Sequence, residues 1–206
     1  MKPPCPLNSI PLPLLLISCF LSMPGCIDLS PQPDSTRFYV LNGPTENVLS
    51  GKPGVLQIGI TRVEVPEYLR TPKMVVRQSE FEVVNSESHR WAEDFDRSLG
   101  RIVAAHIGAR PFVRRVDVVP WDEAPEHDFR IALRFDRFEG DAAGNVRLRA
   151  KWTISEAPTD RPIRTGHSAV SGKWDGRDYA ALAEALSDVL AGMSGDISVA
   201  LLQASE

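Results

Sequence analysis

The fold is decided by a proline-bracketed stretch that reads Val65-Pro66-Glu67-Tyr68-Leu69-Arg70-Thr71-Pro72. Each proline fixes φ near about −65°, lacks a backbone donor and disfavours helix in the residue before it, so we expect a rigid elbow. The segment before the elbow alternates apolar and polar residues like a half-buried strand, and the parity of this alternation changes between Ile60 and Val63. A bulge near Thr61 or Arg62 would account for the change.

The segment after the elbow predicts a hairpin and then a helix. Residues 74–80 and 81–84 are strand-like, and residues 85–88, Asn-Ser-Glu-Ser, have the composition of a turn. We expect Arg90-Trp91-Ala92-Glu93 to open the helix and Gly108 to end it. The helix carries one apolar stripe at a period of about 3.6 residues. Its members are Phe95, Leu99, Ile102, Val103 and His106.

The second half of the chain predicts one strand, a three-stranded meander and a final helix. The strand covers residues 112–119, and the meander covers residues 129–136, 146–154 and 162–170, with a turn at residues 140–145. The helix begins near Asp178, with Asp175 as a candidate N-cap, and carries a long apolar stripe. About seven strands and two main helices indicate the α+β class, as a three-layer-type α/β sandwich with a mixed, mostly antiparallel sheet.

Composition excludes several function classes. All three cysteines, Cys5, Cys19 and Cys26, lie in the first 26 of 206 residues, so a chain that starts at Cys26 has no internal disulfide and no thiolate cluster. Removal of Lys2 would make this chain one unit more negative than the −4 of the whole sequence, which argues against nucleic acid as a partner. The eight arginines between positions 110 and 149 make the middle locally basic, and we interpret them as solvated strand-face residues.

The N-terminus has the layout of a secretory signal. Lys2 precedes an apolar run over residues 10–23, which is too short to span a bilayer. Gly25-Cys26 resembles the lipobox of bacterial lipoproteins, in which the cysteine is acylated and becomes the new N-terminus, while Leu16-Ile17-Ser18-Cys19 is an alternative. We therefore divide the chain into a signal peptide (residues 1–25), a lipidated, proline-containing tether (residues 26–36) and one domain (residues 37–206).

The sequence contains none of the compact motifs of catalysis. No two histidines have zinc-protease spacing, and Gly166-His167-Ser168 lacks the second glycine of a nucleophile elbow. Gly51-Lys52 and Gly172-Lys173 lack the rest of a phosphate-binding loop. We therefore expect no catalytic residue, no metal and no cofactor, and a protein that is not an enzyme.

Several weak motifs occur in a characteristic order, and together they carry a family resemblance. Arg37-Phe38-Tyr39-Val40-Leu41 is followed by the elbow, then by Val75-Val76-Arg77, then by Arg90-Trp91-Ala92-Glu93. This order resembles the PqiC/YmbA family of ABC-type transport auxiliary lipoproteins over roughly residues 37–200. The resemblance implies an architecture similar to anticodon-binding-like sandwiches.

The same resemblance implies a function. It predicts an outer-membrane lipoprotein, without catalytic activity, that docks a periplasmic MCE-domain protein of a lipid transporter and supports membrane integrity; self-association into a homo-oligomer is compatible with it. The partner-binding candidates are Pro66, Tyr68, Arg70, Pro72, Arg77 and Trp91. Trp91 has a second interpretation as a half-buried aromatic that fixes the helix start. Two alternatives remain open, namely a lipid-anchored periplasmic hydrolase and a lipoprotein activator of a cell-wall synthase.

The anchor assignment gives a first testable prediction. Cys26→Ala should leave the precursor uncleaved at this site, or release it to the periplasm if another peptidase cuts it, because one buried acyl methylene contributes about 0.8 kcal/mol and several chains make release negligible. Mass spectrometry of the native N-terminus measures the outcome. An acylated fragment that begins at Cys19, or an unmodified N-terminus, would contradict the assignment.

Overall fold

The computed structural model describes residues 34–44, 54–121 and 126–205. The signal peptide, both candidate lipidation sites and most of the tether lie outside these residues. Ser35–Glu206 forms a compact unit, and the whole described hydrophobic core is drawn from within it. This unit therefore contains the packing that a domain needs to fold by itself.

The described elements follow the predicted order, with eight strands. The strands are β1 (Arg37–Tyr39), β2 (Leu56–Glu64), β3 (Lys73–Arg77), β4 (Val83–Trp91), β5 (Val113–Val118), β6 (Phe129–Asp141), β7 (Asn145–Glu156) and β8 (Pro162–Lys173). The helices are α1 (Phe95–Gly108) and α2 (Tyr179–Ala204), and the elbow contains a short 3-10 turn, Glu67–Leu69. The apolar composition of α2 would allow it to span a bilayer, but 61% of its most apolar window is buried, so it is a core helix.

Strand β6 lies at the centre of the sheet, because its two edges together pair with three other strands. One edge pairs antiparallel with β7, which pairs antiparallel with β8. The other edge pairs parallel with β2, from Ile58 opposite Phe129 to Glu64 opposite Arg134, and then with β3, where Val76 lies opposite Gly140. Strand β5 extends the sheet beyond β2, while β4 and then β1 extend it beyond β3. The elbow thus carries the chain from β2 to β3 along one edge of β6.

Both helices lie on one face of the sheet. Helix α1 packs on β2 and β5, α2 packs on β6, β7 and β8, and the two helices contact each other. The residues of β7 that face them are buried, whereas Arg147 and Arg149 on the other face are exposed. The α+β class, the mixed sheet and the two main helices are confirmed. The arrangement consists of one sheet and one helical layer, rather than three layers, and the sheet stays open.

The bulge predicted from the change of parity in β2 is confirmed, since the register with β6 shifts between Ile60 and Arg62. The predicted turn at residues 85–88 is wrong. These residues lie inside β4, and the chain reverses at residues 78–82, where the Gln78 N–H donates to the Glu82 carbonyl. Polar residues are tolerated in β4 because its outer edge is covered only by the three residues of β1.

The predicted start of α1 is wrong, whereas the start of α2 near Asp178 is confirmed and only its N-cap residue differs. Arg90 and Trp91 end β4, and α1 begins at Phe95. The N-cap of α2 is Asp178, whose carboxylate accepts from the Ala180 N–H at 2.9 Å. Asp175 instead accepts from the backbone N–H groups of Arg177 and Asp178, so it stabilises the turn before the helix.

A buried carboxylate holds the elbow against β6. Glu139 is only 2% exposed, and one of its oxygens accepts from the Tyr68 hydroxyl at 2.7 Å. The other oxygen accepts from the Nε–H groups of Arg77 at 2.7 Å and Arg137 at 2.6 Å. The Arg77 guanidinium also lies 5.8 Å from the centre of the Tyr68 ring. The Glu139 carboxylate therefore binds the elbow through Tyr68, β3 through Arg77 and its own strand β6 through Arg137.

This network shifts two pKa values. Burial, followed by the hydrogen bond to Glu139, raises the pKa of Tyr68 from 10.0 to about 12. The hydrogen bond from Arg77 to Glu139 is the main cause that raises the pKa of Arg77 above its ordinary value. Tyr68 therefore stays a neutral donor, and Arg77 a cation, at neutral pH.

Removal of the charge of Glu139 should destabilise the domain. Glu139→Gln leaves Arg77 and Arg137 together without their counter-charge, and loss of one partner from a buried ion pair costs about 3 kcal/mol or more. Chemical unfolding measures the change in free energy. The control is Glu64→Gln, which breaks the exposed ion pair with Arg62 and should cost less than about 1 kcal/mol. Equal losses in the two variants would contradict the role assigned to Glu139.

The raised pKa of Tyr68 predicts a pH dependence. Because the folded state favours the neutral phenol, the stability that Tyr68 contributes is fully present below pH 10.0 and is lost as pH rises toward about 12. Tyr68→Phe lacks this titration. The difference in unfolding free energy between wild type and Tyr68→Phe should therefore shrink above pH 10.0. A difference that stays constant over this range would show that Tyr68 is not held neutral by the fold.

Candidate partner-binding site

A cleft lies between the end of the elbow and the start of α1. It has a volume of about 550 Å³. Its walls come from three short segments: residues 70–72 of the elbow, residues 91–93 where β4 ends, and residues 94–96 at the start of the helix. We name it the elbow cleft. It is concave and large enough for a peptide side chain or a small ligand.

The floor of the elbow cleft is aromatic and firmly positioned. Trp91 is 8% exposed and stacks on Phe95, with 4.9 Å between ring centres. Its backbone N–H donates to the carbonyl of Pro72 at 2.7 Å, which ties the elbow to the end of β4. The next N–H, of Ala92, donates to the Tyr39 carbonyl at 2.9 Å. Backbone contacts therefore fix both sides of the cleft before any partner arrives.

The rim of the elbow cleft is predominantly acidic. Glu93, Asp94 and Asp96 lie in the lining, against the single cation Arg70. Arg70 already lies 3.6 Å from the Glu67 carboxylate, and Arg101 pairs with Glu93. The positive end of the α1 dipole favours carboxylates at this position, which explains why acidic residues accumulate there. Together, the aromatic floor and the acidic rim suit a segment that carries a positive charge next to apolar groups.

The six partner-binding candidates fall into two groups around the elbow. Arg70, Pro72 and Trp91 line the elbow cleft. Tyr68 and Arg77 belong to the Glu139 network, and Pro66 precedes the 3-10 turn, where its carbonyl accepts from the Leu69 N–H at 2.9 Å. The low exposure of Trp91 and its stacking on Phe95 favour the structural interpretation of this residue. Contact of these six residues with a partner stays a prediction.

Sequence reasoning missed Glu139 and Arg137 as members of this region. Their sequence positions gave a weak signal, because both lie at the end of β6, close to the turn predicted for residues 140–145. Glu139 lies 71 residues from Tyr68 in the chain, so their contact depends on the pairing of β2 and β3 with β6.

One histidine–carboxylate pair lies elsewhere in the described domain. Nε2 of His127 is 2.9 Å from the Asp117 carboxylate, and Trp121 packs edge-on against the imidazole. The His127 side chain is fully buried, so the imidazole does not face an open cleft. In the described ranges, no group of three or more His, Cys, Asp or Glu residues could hold a metal ion.

Comparisons with known proteins show the family through a family model and the fold through solved structures. The model of the family described as "ABC-type transport auxiliary lipoprotein component" matches residues 39–198. Protein XCC0632 from Xanthomonas campestris is similar in structure, with a TM-score of 0.68 and 18% identity over 82% of this chain and 99% of that one. A second crystal structure, of an uncharacterized protein, has a TM-score of 0.65 and 18% identity over 81% and 98% of the two chains.

A PelC dodecamer from Paraburkholderia phytofirmans is more distant, with a TM-score of 0.45 and 12% identity over 72% of this chain and 92% of that one. Comparison with curated protein sequences gave no match. The family model covers most of the described domain, from the end of β1 into the last turns of α2. The chain therefore belongs to the family of ABC-type transport auxiliary lipoprotein components.

Proposed function

We propose that this protein is a non-catalytic lipoprotein at the periplasmic face of the outer membrane, where it docks the MCE-domain protein of an ABC-type lipid transporter and thereby supports membrane integrity. The observation that carries the proposal is the family match over residues 39–198. In this proposal Cys26, with Cys19 as the alternative, carries the acyl chains. Ile27, rather than Asp, after Cys26 favours export to the outer membrane.

The elbow cleft is the proposed docking site. It is concave, its floor is aromatic, and its position is fixed by backbone hydrogen bonds and by the Glu139 network. Preorganised surfaces bind with a smaller loss of conformational entropy, and Arg70 in the lining is of a residue type that is enriched among residues that dominate binding energy. The acidic rim further selects a partner segment that carries Lys or Arg. Self-association into a homo-oligomer is also part of the proposal.

The alternative functions require features that the cleft does not supply. A hydrolase needs a nucleophile next to a base, and Thr71, the one hydroxyl residue in the lining of the elbow cleft, donates no side-chain hydrogen bond to the carboxylates of the lining, since its Oγ1 accepts from the Lys73 N–H. An activator of a cell-wall synthase needs a tether that crosses the cell-wall layer, whereas about ten tether residues extend at most roughly 33 Å.

A single substitution in the cleft tests the docking proposal. Ala92 is exposed in the lining, so Ala92→Arg fills the cleft and adds positive charge without disturbing the core. We expect recovery of the MCE-domain partner from detergent-solubilised membranes to fall about tenfold or more, which corresponds to a loss of about 1.4 kcal/mol. Quantitative mass spectrometry of the co-purified proteins gives the measurement.

The matched control is Ala180→Arg, which places the same side chain at an exposed position in the first turn of α2. It should leave partner recovery unchanged. The proposal for the cleft fails if Ala92→Arg recovers the partner like wild type, or if both variants lose it equally. The functional assignment itself fails if no MCE-domain protein is recovered with the wild-type chain.

A further inference from the structure

The helix-free face of the sheet carries a row of cations that its own strands neutralise only in part. Residues directly opposite on antiparallel strands point to the same face, and like charges there are destabilising. Arg134 of β6 lies opposite Lys151 of β7, and Arg137 lies opposite Arg149. The row thus places two like-charge pairs side by side.

Acidic neighbours compensate only part of this row. Arg134 lies 3.5 Å from Asp136, and Arg137 is bound to Glu139. The three basic residues of β7, Arg147, Arg149 and Lys151, make no salt bridge to any residue that the structure describes. The positive charges of these three side chains are therefore available to an external anion.

The row begins in a pocket that is lined by three arginines. Arg77, Arg137 and Arg147 line a pocket of about 420 Å³ at the end of β3 and β6. Glu139 holds Arg77 and Arg137 through their Nε–H groups, and a terminal N–H of Arg77 donates to the Glu80 carbonyl at 3.1 Å. The other terminal guanidinium N–H groups are donors for a further acceptor. Two carboxylates in the lining, Asp141 and Glu80, oppose an anion, and the oxygens of Asp141 accept from the N–H groups of Asn145.

An exposed aromatic residue lies beside this pocket. Phe81 is at the tip of the β3–β4 hairpin and is 93% exposed, while the neighbouring residues 78–80 line the pocket. Such a ring cannot contribute to the core. An aromatic side chain next to arginines is typical of surfaces that enter the interface between lipid headgroups and acyl chains.

We propose that the pocket and the cation row bind the phosphate groups of an anionic lipid surface, with Phe81 inserted at the interface. Arginine is suited to this contact because its planar fork binds phosphate through two parallel hydrogen bonds. This contact would orient the domain on the membrane, and it does not depend on the identity of the transport partner.

Vesicle co-sedimentation of residues 35–206, which lack the anchor but contain the whole described core, tests the proposal. Wild type should bind vesicles of equal parts phosphatidylglycerol and phosphatidylcholine, and should not bind phosphatidylcholine alone. Each Lys or Arg near an anionic surface contributes about fivefold in affinity, so Arg147→Gln with Arg149→Gln should weaken binding about 25-fold. Phe81→Ser should also weaken binding, and Glu80→Gln should strengthen it.

The matched control is Arg114→Gln with Arg177→Gln, which removes two exposed cations outside the row. It should bind like wild type, and thermal unfolding should show that all variants are folded. The proposal is overturned if wild type ignores the anionic vesicles, or if the control loses as much affinity as the row variant. It is also overturned if a matching concentration of inorganic phosphate releases the domain, because the site would then bind free phosphate rather than a lipid surface.

Discussion

The buried carboxylate of Glu139 lies near the position where β2 and β3 meet on one edge of β6, which we call the branch point of the sheet. Strands β2 and β3 pair with successive parts of one edge of β6. The elbow between them is not a strand, so side-chain contacts rather than ladder hydrogen bonds fix it against β6. Glu139 does this by accepting from Tyr68 of the elbow and from Arg77 of β3. A buried charge is costly unless it is paired and hydrogen-bonded, so the carboxylate and the two arginines depend on each other.

The same branch point separates two surfaces of opposite charge. On the helical side, the elbow and the start of α1 form an acidic cleft over Trp91. On the helix-free side, the arginines that contact Glu139 continue into the cation row of β7. In our two proposals the acidic cleft selects a cationic protein segment and the cation row selects an anionic membrane, so the two surfaces do not compete for one ligand.

Local pattern was sufficient for most of the architecture. Alternation located β6 and β7, apolar stripes located both helices, and the change of parity near Thr61 located the bulge of β2. The prediction of the α2 N-cap was wrong because two residues were equally suited to that position. Asp175 and Asp178 both have the composition of an N-cap, and only the backbone geometry decides between them.

Tertiary context explains the rest. Residues 85–88 are polar because β4 lies next to a very short edge strand, which composition alone cannot distinguish from a turn. The elbow was evident from its prolines, but its role depends on Glu139, whose sequence neighbourhood looks like the start of a hairpin turn. The sequence therefore predicted that the elbow is rigid, but not what it rests on.

The short strand β1 has a mechanical consequence. With the proposed anchor at Cys26, tension would reach the domain through the segment before β1, whose three residues pair parallel with residues 89–91 of β4. A force directed along the strands loads these hydrogen bonds together in shear rather than one after another. Behind them, the Asn42 N–H donates to the Ser187 hydroxyl of α2, so the load passes from the edge strand into the longest core helix. Because β1 pairs only with β4, its separation would leave the described pairings of β6 with β2, β3 and β7 in place.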